Sequence, residues 1–251
     1  MGNKCWAASL GGCSGKPSRE HIVSAAFFDG DNITVAGFDW TGDKAEEIPL
    51  KGAVAKVLCE KHNNQLSELD TEIKKIGASF REFSRIVVGK PESIKTPNHF
   101  VGRVDGARFE RWLLKTTLNV ICASPKKYNN FWPDEFLASL VFGKTKFDYR
   151  TGMGLYSIHP NLYGNLISSW NVVNVRPAIL TIESDTGLLG VIITFWGMPL
   201  FLKTAAFTEN MRLDVNGFNL IDEKLYHTKV VRSLRDGQLA DFPRLEFVYE
   251  T

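Results

Sequence analysis

The chain has 251 residues, of which 44% are hydrophobic and 23% charged; these proportions belong to a folded globular protein and exclude long disorder or a fibrous repeat. A formal net charge of +2 excludes a broad basic field, so any phosphate-binding surface must be local. No run approaches the roughly 18 uninterrupted apolar residues of a spanning helix and no cationic, apolar leader opens the sequence, so the expected setting is cytoplasmic with no membrane partner.

In chain order, residues 1–58 are rich in Gly and short polar residues, with brief apolar runs at Ile22–Phe28 and Ile33–Phe38 that suit short strands and loops. Leu66, Leu69, Ile73, Ile76, Phe80, Phe83 and Val87 then recur at three- and four-residue steps, which predicts one amphipathic helix over 62–88. Pro91 and Pro97 punctuate a linker at 89–98. Asp105 is placed to cap a second helix lined by Phe109, Trp112, Leu113, Thr116 and Val120, and a shorter third follows Pro133 with Phe136, Leu137 and Leu140. From Leu155 onward the texture is β-branched and aromatic: 178–183 and 188–195 form a hairpin through Ser184 to Gly187, and a further strand covers 199–203. The expected class is α+β, with a small stapled lobe over 1–90 and a larger α+β domain with an antiparallel sheet over 95–251.

Four cysteines are present. Cys122 sits in the apolar stretch 118–123 and reads as a buried small hydrophobe. Cys5 and Cys13 flank a Gly-containing loop, while Cys59 is followed after two residues by His62. Brought together across a hairpin, these pairs make a Cys3His set suited to a structural, tetrahedral zinc. A lobe with so few large apolar residues needs such a staple. The alternatives are a frayed terminus at Cys5 with Cys59 merely buried, or disulfides, which the expected compartment disfavours.

Between the two pairs stands Ser18-Arg19-Glu20-His21-Ile22-Val23, and the second pair runs into Asn63 and Asn64 at a helix start. Here the sequence resembles the HNH, or ββα-metal, endonuclease family, and the wider pattern, with Leu66 to Asp70 and Phe109 to Lys115, is similar to HNH-related proteins of bacteria and phages. The resemblance covers about residues 5–70. It implies that His21 is the general base toward an attacking water, and that Glu20 and Asn63 hold a catalytic divalent ion such as magnesium, manganese or nickel. Neighbouring residues of a regular strand point to opposite faces, so Glu20 and His21 can serve one ion only across a bend or bulge. The family's middle Asn, which orients the His, would fall near 53–57, where no Asn stands; Asn32 is the one Asn between His21 and Asn63.

Arg103 lies near the second helix, and Arg108, Arg111 and Lys115 share one of its faces, available either to phosphates or to solvent. Lys126 and Lys127 precede Tyr128, Asn129, Asn130, Phe131 and Trp132, a mixture that suits unstacked bases or an aromatic turn. His99, His159 and His227 show no ligand spacing. The expectation is therefore a metal-dependent endonuclease with nucleic acid, DNA ahead of RNA, as partner. The alternatives are a zinc-stapled binding module without catalysis, or a nuclease-like effector controlled by a regulatory protein or by homo-oligomerisation.

Overall fold

The structure, a computed structural model, describes residues 5–36, 38, 40–41, 44–88, 100–158, 172–182, 185–196, 198–205, 213–215, 218–220, 225–227 and 244–249. The linker expected over 89–98, together with His99 and His159, lies outside them.

Strand β1 (Pro17–His21) is followed by a 3-10 turn at Ala25–Phe27, inside the apolar run 22–28 that suited a short strand or a loop. The apolar run is explained by what the turn carries. Phe27 is fully buried, its ring 4.5 Å from Trp112, 4.8 Å from Trp196 and 4.9 Å from Phe195 between centroids. Next come β2 (Asn32–Ala36), β3 (Glu46–Pro49) and β4 (Val54–Cys59), then α1 (Glu60–Gln65) and α2 (Ser67–Val88). The single helix expected over 62–88 is thus two. Leu66 breaks it, its N–H bonding three residues back to the Asn63 carbonyl, while the Ser67 hydroxyl takes the Asn64 carbonyl. The predicted stripe on α2 faces the core, with Leu69, Ile73, Ile76, Phe80 and Phe83 buried.

Strand β5 (Val101–Asp105) leads into α3 (Gly106–Ala123), where the Asp105 side chain accepts the Arg108 N–H as the sequence predicts. Helix α4 (Glu135–Val141) is capped in the same way by Asp134. The remaining strands are β6 (Gly154–Ile158), β7 (Val172–Ile182), β8 (Asp185–Phe195), β9 (Met198–Lys203), β10 (Leu213–Val215), β11 (Phe218–Leu220), β12 (Leu225–His227) and β13 (Arg244–Val248). The β7–β8 hairpin is longer than expected. Asp185, Thr186 and Gly187 pair with Ile182, Thr181 and Leu180, so these three belong to β8 and not to the connection expected at 184–187.

The architecture is α+β. Among the described residues a seven-stranded sheet runs β12-β6-β9-β8-β7-β2-β3. Its pairings are antiparallel except between β2 and β7, which lie parallel with Val35 opposite Val173. β13 pairs parallel with β5, Leu245 opposite Gly102. Residues on the two sides of the expected 90/95 boundary therefore share one sheet, and one hydrophobic cluster joins Val23 and Phe27 to Trp112, Val191 and Phe195. The segment 1–90 does not close a core of its own.

Helix α2 crosses the Phe27 turn at close range. A Cβ at Gly77 would stand 2.5 Å from the Phe27 carbonyl oxygen, which also accepts a 2.7 Å hydrogen bond from Arg81. Gly77→Ala is therefore expected to push the helix off the turn and lower stability by about 1–3 kcal/mol, despite the higher helix propensity of Ala. Urea unfolding checks this; an unchanged or raised midpoint would show that the crossing relaxes freely.

Candidate metal centre and the adjoining polar cluster

Cys5 opens a loop that must return to bring Cys13 beside it. The return is made through a 3-10 turn at Ala8–Leu10 and left-handed Gly11 and Gly12, with φ of 77° and 68°. The Trp6 N–H bonds to the Val57 carbonyl and the Glu60 N–H to the Lys16 carbonyl, tying both sides of the loop to the end of β4. Cys59 then sits at the N-cap of α1 and His62 within its first turn.

The result brings together all four sequence-predicted ligands. Cys5, Cys13, Cys59 and His62 have their ligand atoms within 4.8 Å of one another, and Cys5, Cys59 and His62 are buried. The His62 Nδ1 stands 3.3 Å from the Cys5 Sγ, 3.4 Å from that of Cys59 and 3.7 Å from that of Cys13. A tetrahedral zinc with Zn–S of about 2.3 Å and Zn–N of about 2.0 Å separates sulfur from nitrogen by about 3.5 Å, so the observed spacings fit that ion. No other group of three His, Cys, Asp or Glu donors among the described residues lies this close. The cluster could hold a metal such as zinc.

The thiols of the cluster are unequal. Burial pushes Cys5 up to about 12. At Cys59 burial acts in the same direction, but the backbone N–H groups of His62 and Ser14, with the Ser14 hydroxyl, outweigh it and bring the thiol down to about 6. One ligand is thus ready as thiolate for capture of a soft cation.

β1 pairs antiparallel with β4, Pro17 opposite Cys59 and His21 opposite Val54. A register shift lies between Ser18 and Glu20, where Lys56 and Val57 of β4 both oppose Arg19. The irregularity that the sequence demanded is present, yet its extra residue belongs to β4, and Glu20 and His21 remain in different surroundings. Glu20 is buried. Its carboxylate is 2.7 Å from the Lys115 ammonium, which also meets Asp70 of α2 at 2.8 Å. Burial pushes the Glu20 carboxyl above the ordinary range, the Lys115 charge opposing and the Asp70 charge adding to the rise.

Asn63 turns to the other end of the strand and donates its amide to the Ser18 hydroxyl at 2.9 Å. His21 is partly exposed, and its backbone carbonyl accepts a 3.2 Å bond from the Asn119 amide. The Asn119 side-chain oxygen in turn accepts the Trp6 indole N–H at 2.9 Å. Glu20, His21 and Asn63 therefore lie along one short strand and its helix, Glu20 paired with Lys115, Asn63 with Ser18, and His21 held through its backbone carbonyl. With Glu20 occupied by Lys115 and Asn63 by Ser18, these residues do not fit a magnesium, manganese or nickel site as they stand.

The cationic row expected on α3 divides. Lys115 is 1% exposed and belongs to the Glu20–Asp70 cluster, which corrects its expected placement at the surface. Arg108 is half exposed and paired with Asp105 and Glu72, and Arg103 reaches Glu246. Arg111 donates its Nε–H to the Val141 carbonyl. Lys126 is exposed, and Lys127 lies over the Tyr128 ring with its ammonium 3.5 Å from the Phe38 carbonyl. Phe131 is buried whereas Trp132 is exposed, and left-handed Asn129 and Asn130 turn the chain between Lys127 and Phe131.

Asn119, Trp6 and Asp70 are absent from the sequence-derived site. Nothing local marks them: Asn119 lies 98 residues from His21 and 113 from Trp6. The one available signal was the apolar stretch of α3 around Asn119, from Leu118 to Cys122, which marks that amide as an internal partner. Comparison of the chain with protein-family models, with curated proteins and with solved structures finds no match.

Proposed function

We propose that the chain is a nuclease of the HNH type that hydrolyses phosphodiester bonds, DNA ahead of RNA, with His21 as general base. The observation that carries this reading is the order β1, β4, α1, stapled at its base by the Cys3His cluster and bearing a partly exposed imidazole at the far end of β1. In the proposed reaction His21 takes a proton from water, the water oxygen attacks phosphorus, and the ester oxygen leaves and is protonated. Asn119 serves as a positioning residue. Its hold on the His21 main-chain carbonyl fixes that end of β1 from α3, in a chain with no Asn at 53–57.

A second reading has an observation of its own: Lys115 neutralises Glu20, as befits a zinc-stapled module that binds nucleic acid or protein without cutting. Nicking of plasmid and cleavage of structured RNA, each with magnesium, manganese or nickel, separate the two. His21→Ala is expected to lower cleavage by about 100-fold or more while leaving the fold intact. Equal cleavage by both proteins removes His21 from the mechanism, and intact substrates under every condition favour the binding module.

A further inference from the structure

At the start of α3, on its Arg111 side, a cavity of about 450 Å³ opens between the first turns of α3, the chain from Gly143 to Arg150 and Tyr249. This is within the roughly 300–1,000 Å³ of small-molecule sites. Its lining has two unlike halves. Phe147, Tyr149 and Tyr249 supply aromatic surface, and Arg111, Lys146 and Arg150 supply positive charge. The one carboxylate in the lining, Asp148, pairs with Arg150 at 3.3 Å.

Each half is held in place. Fully buried Glu110 accepts the Tyr149 hydroxyl at 2.7 Å and that of Tyr249 at 3.0 Å, and also the Leu155 N–H at 2.8 Å. The rings meet edge to face at 5.4 Å, and burial beside Glu110 pushes the Tyr149 phenol far up, so it stays a donor. Tyr249 can lie against α3 only because residue 106 is Gly: a Cβ there would stand 2.3 Å from the ring. Likewise a Cβ at Gly143 would stand 3.0 Å from the centre of the Arg111 guanidinium. Arg111 is half-buried. Beyond its bond to Val141, its terminal amino groups have no hydrogen-bond partner among the described residues.

We propose that this cavity binds a nucleoside 5′-monophosphate group, its base against the tyrosine wall and its phosphate at Arg111 and Lys146. A planar, anionic ligand answers both halves of the lining at once, since a guanidinium fork and an ammonium suit phosphate and aromatic faces suit bases. The site is separate from the metal cluster and from His21, and it does not rest on the nuclease reading. The group has two sources, a free mononucleotide or the 5′-phosphorylated end of a strand.

Isothermal titration of the full chain with AMP, GMP, CMP, adenosine, inorganic phosphate and a 5′-phosphorylated octanucleotide tests it. Expected are a dissociation constant of about 1 mM or tighter for a mononucleotide, and binding at least about tenfold weaker for adenosine and for phosphate alone. Lys146 is exposed, so Lys146→Glu should leave the fold unchanged and weaken the nucleotide by about tenfold or more, as should Arg111→Gln. A tighter octanucleotide identifies a strand end as the source, and a tighter AMP, GMP or CMP the free nucleotide. The proposal is overturned by absence of heat with every nucleotide, by phosphate binding as well as the nucleotides do, or by unchanged affinity in both variants.

Discussion

Replacing Cys59 by Ser is expected to abolish stoichiometric metal binding and to unfold or severely loosen the stapled end of the molecule. The side chain is 2% exposed and 3.4 Å from the His62 Nδ1, so it is a full member of the cluster. A structural zinc contributes its binding free energy to folding, about 10–16 kcal/mol in small zinc peptides, and a large part of that is lost with one thiolate. The effect should spread beyond the cluster. Trp6, next to Cys5, holds Asn119 of α3, and Cys59 ends the strand that pairs with β1. Metal analysis and thermal unfolding of the purified variant check this; retained stoichiometric metal with an unchanged midpoint would reject the staple. Exhaustive chelation of the native protein should reproduce the loss.

Lys115→Met is expected to cost about 3–5 kcal/mol, because it strands Glu20 and Asp70 together without a counter-charge. The two carboxylates share one ammonium, at 2.7 and 2.8 Å. The sign with pH follows from Glu20, whose folded-state carboxyl is already raised by burial and loses in the variant the charge that opposed the rise. A group with a raised folded-state value favours the folded protein below its unfolded value, near 4.5, and loses that contribution as pH climbs through the folded one. The deficit of Lys115→Met should therefore shrink as pH falls from neutrality toward about 4.5. The double variant Glu20→Gln with Lys115→Met should recover much of the loss at neutral pH. Denaturant unfolding of the single and double variants at two pH values measures both, and a deficit independent of pH would show that Lys115 acts through packing alone.

The Cys3His set was legible because a tetrahedral metal site calls for few residue types in short-range pairs, Cys59 with His62 three positions on and Cys5 with Cys13 eight positions on. The α2 stripe from Leu69 to Phe83 was legible for a similar reason, as a helix with one wet face prints its period into the sequence. Lys115 was not. At helical spacing from Arg108 and Arg111 it looks like part of a solvated row, and only the position of Asp70 on another helix shows that the row turns inward. For Phe27 the sequence left strand and loop open because an apolar run is silent about backbone shape; its role depends on Trp112 and Trp196, far along the chain. The boundary near 90 failed for a related reason. Composition shifts there, yet the parallel pairing of β2 with β7 is a non-local choice written in neither segment alone.

That pairing sets an order of assembly. The Cys3His set, β1, β4 and α1 all lie within residues 5–65, yet Trp6, Glu20 and His21 find their partners only at Asn119 and Lys115 of α3. β2 has β3 on one side at once, but its other edge waits for Val172 to Asn174. Phe27, in the turn just before it, waits still longer for Phe195 and Trp196. Until those partners arrive, an apolar aromatic and a strand edge stay uncovered, the combination that exposes a partly folded chain to aggregation.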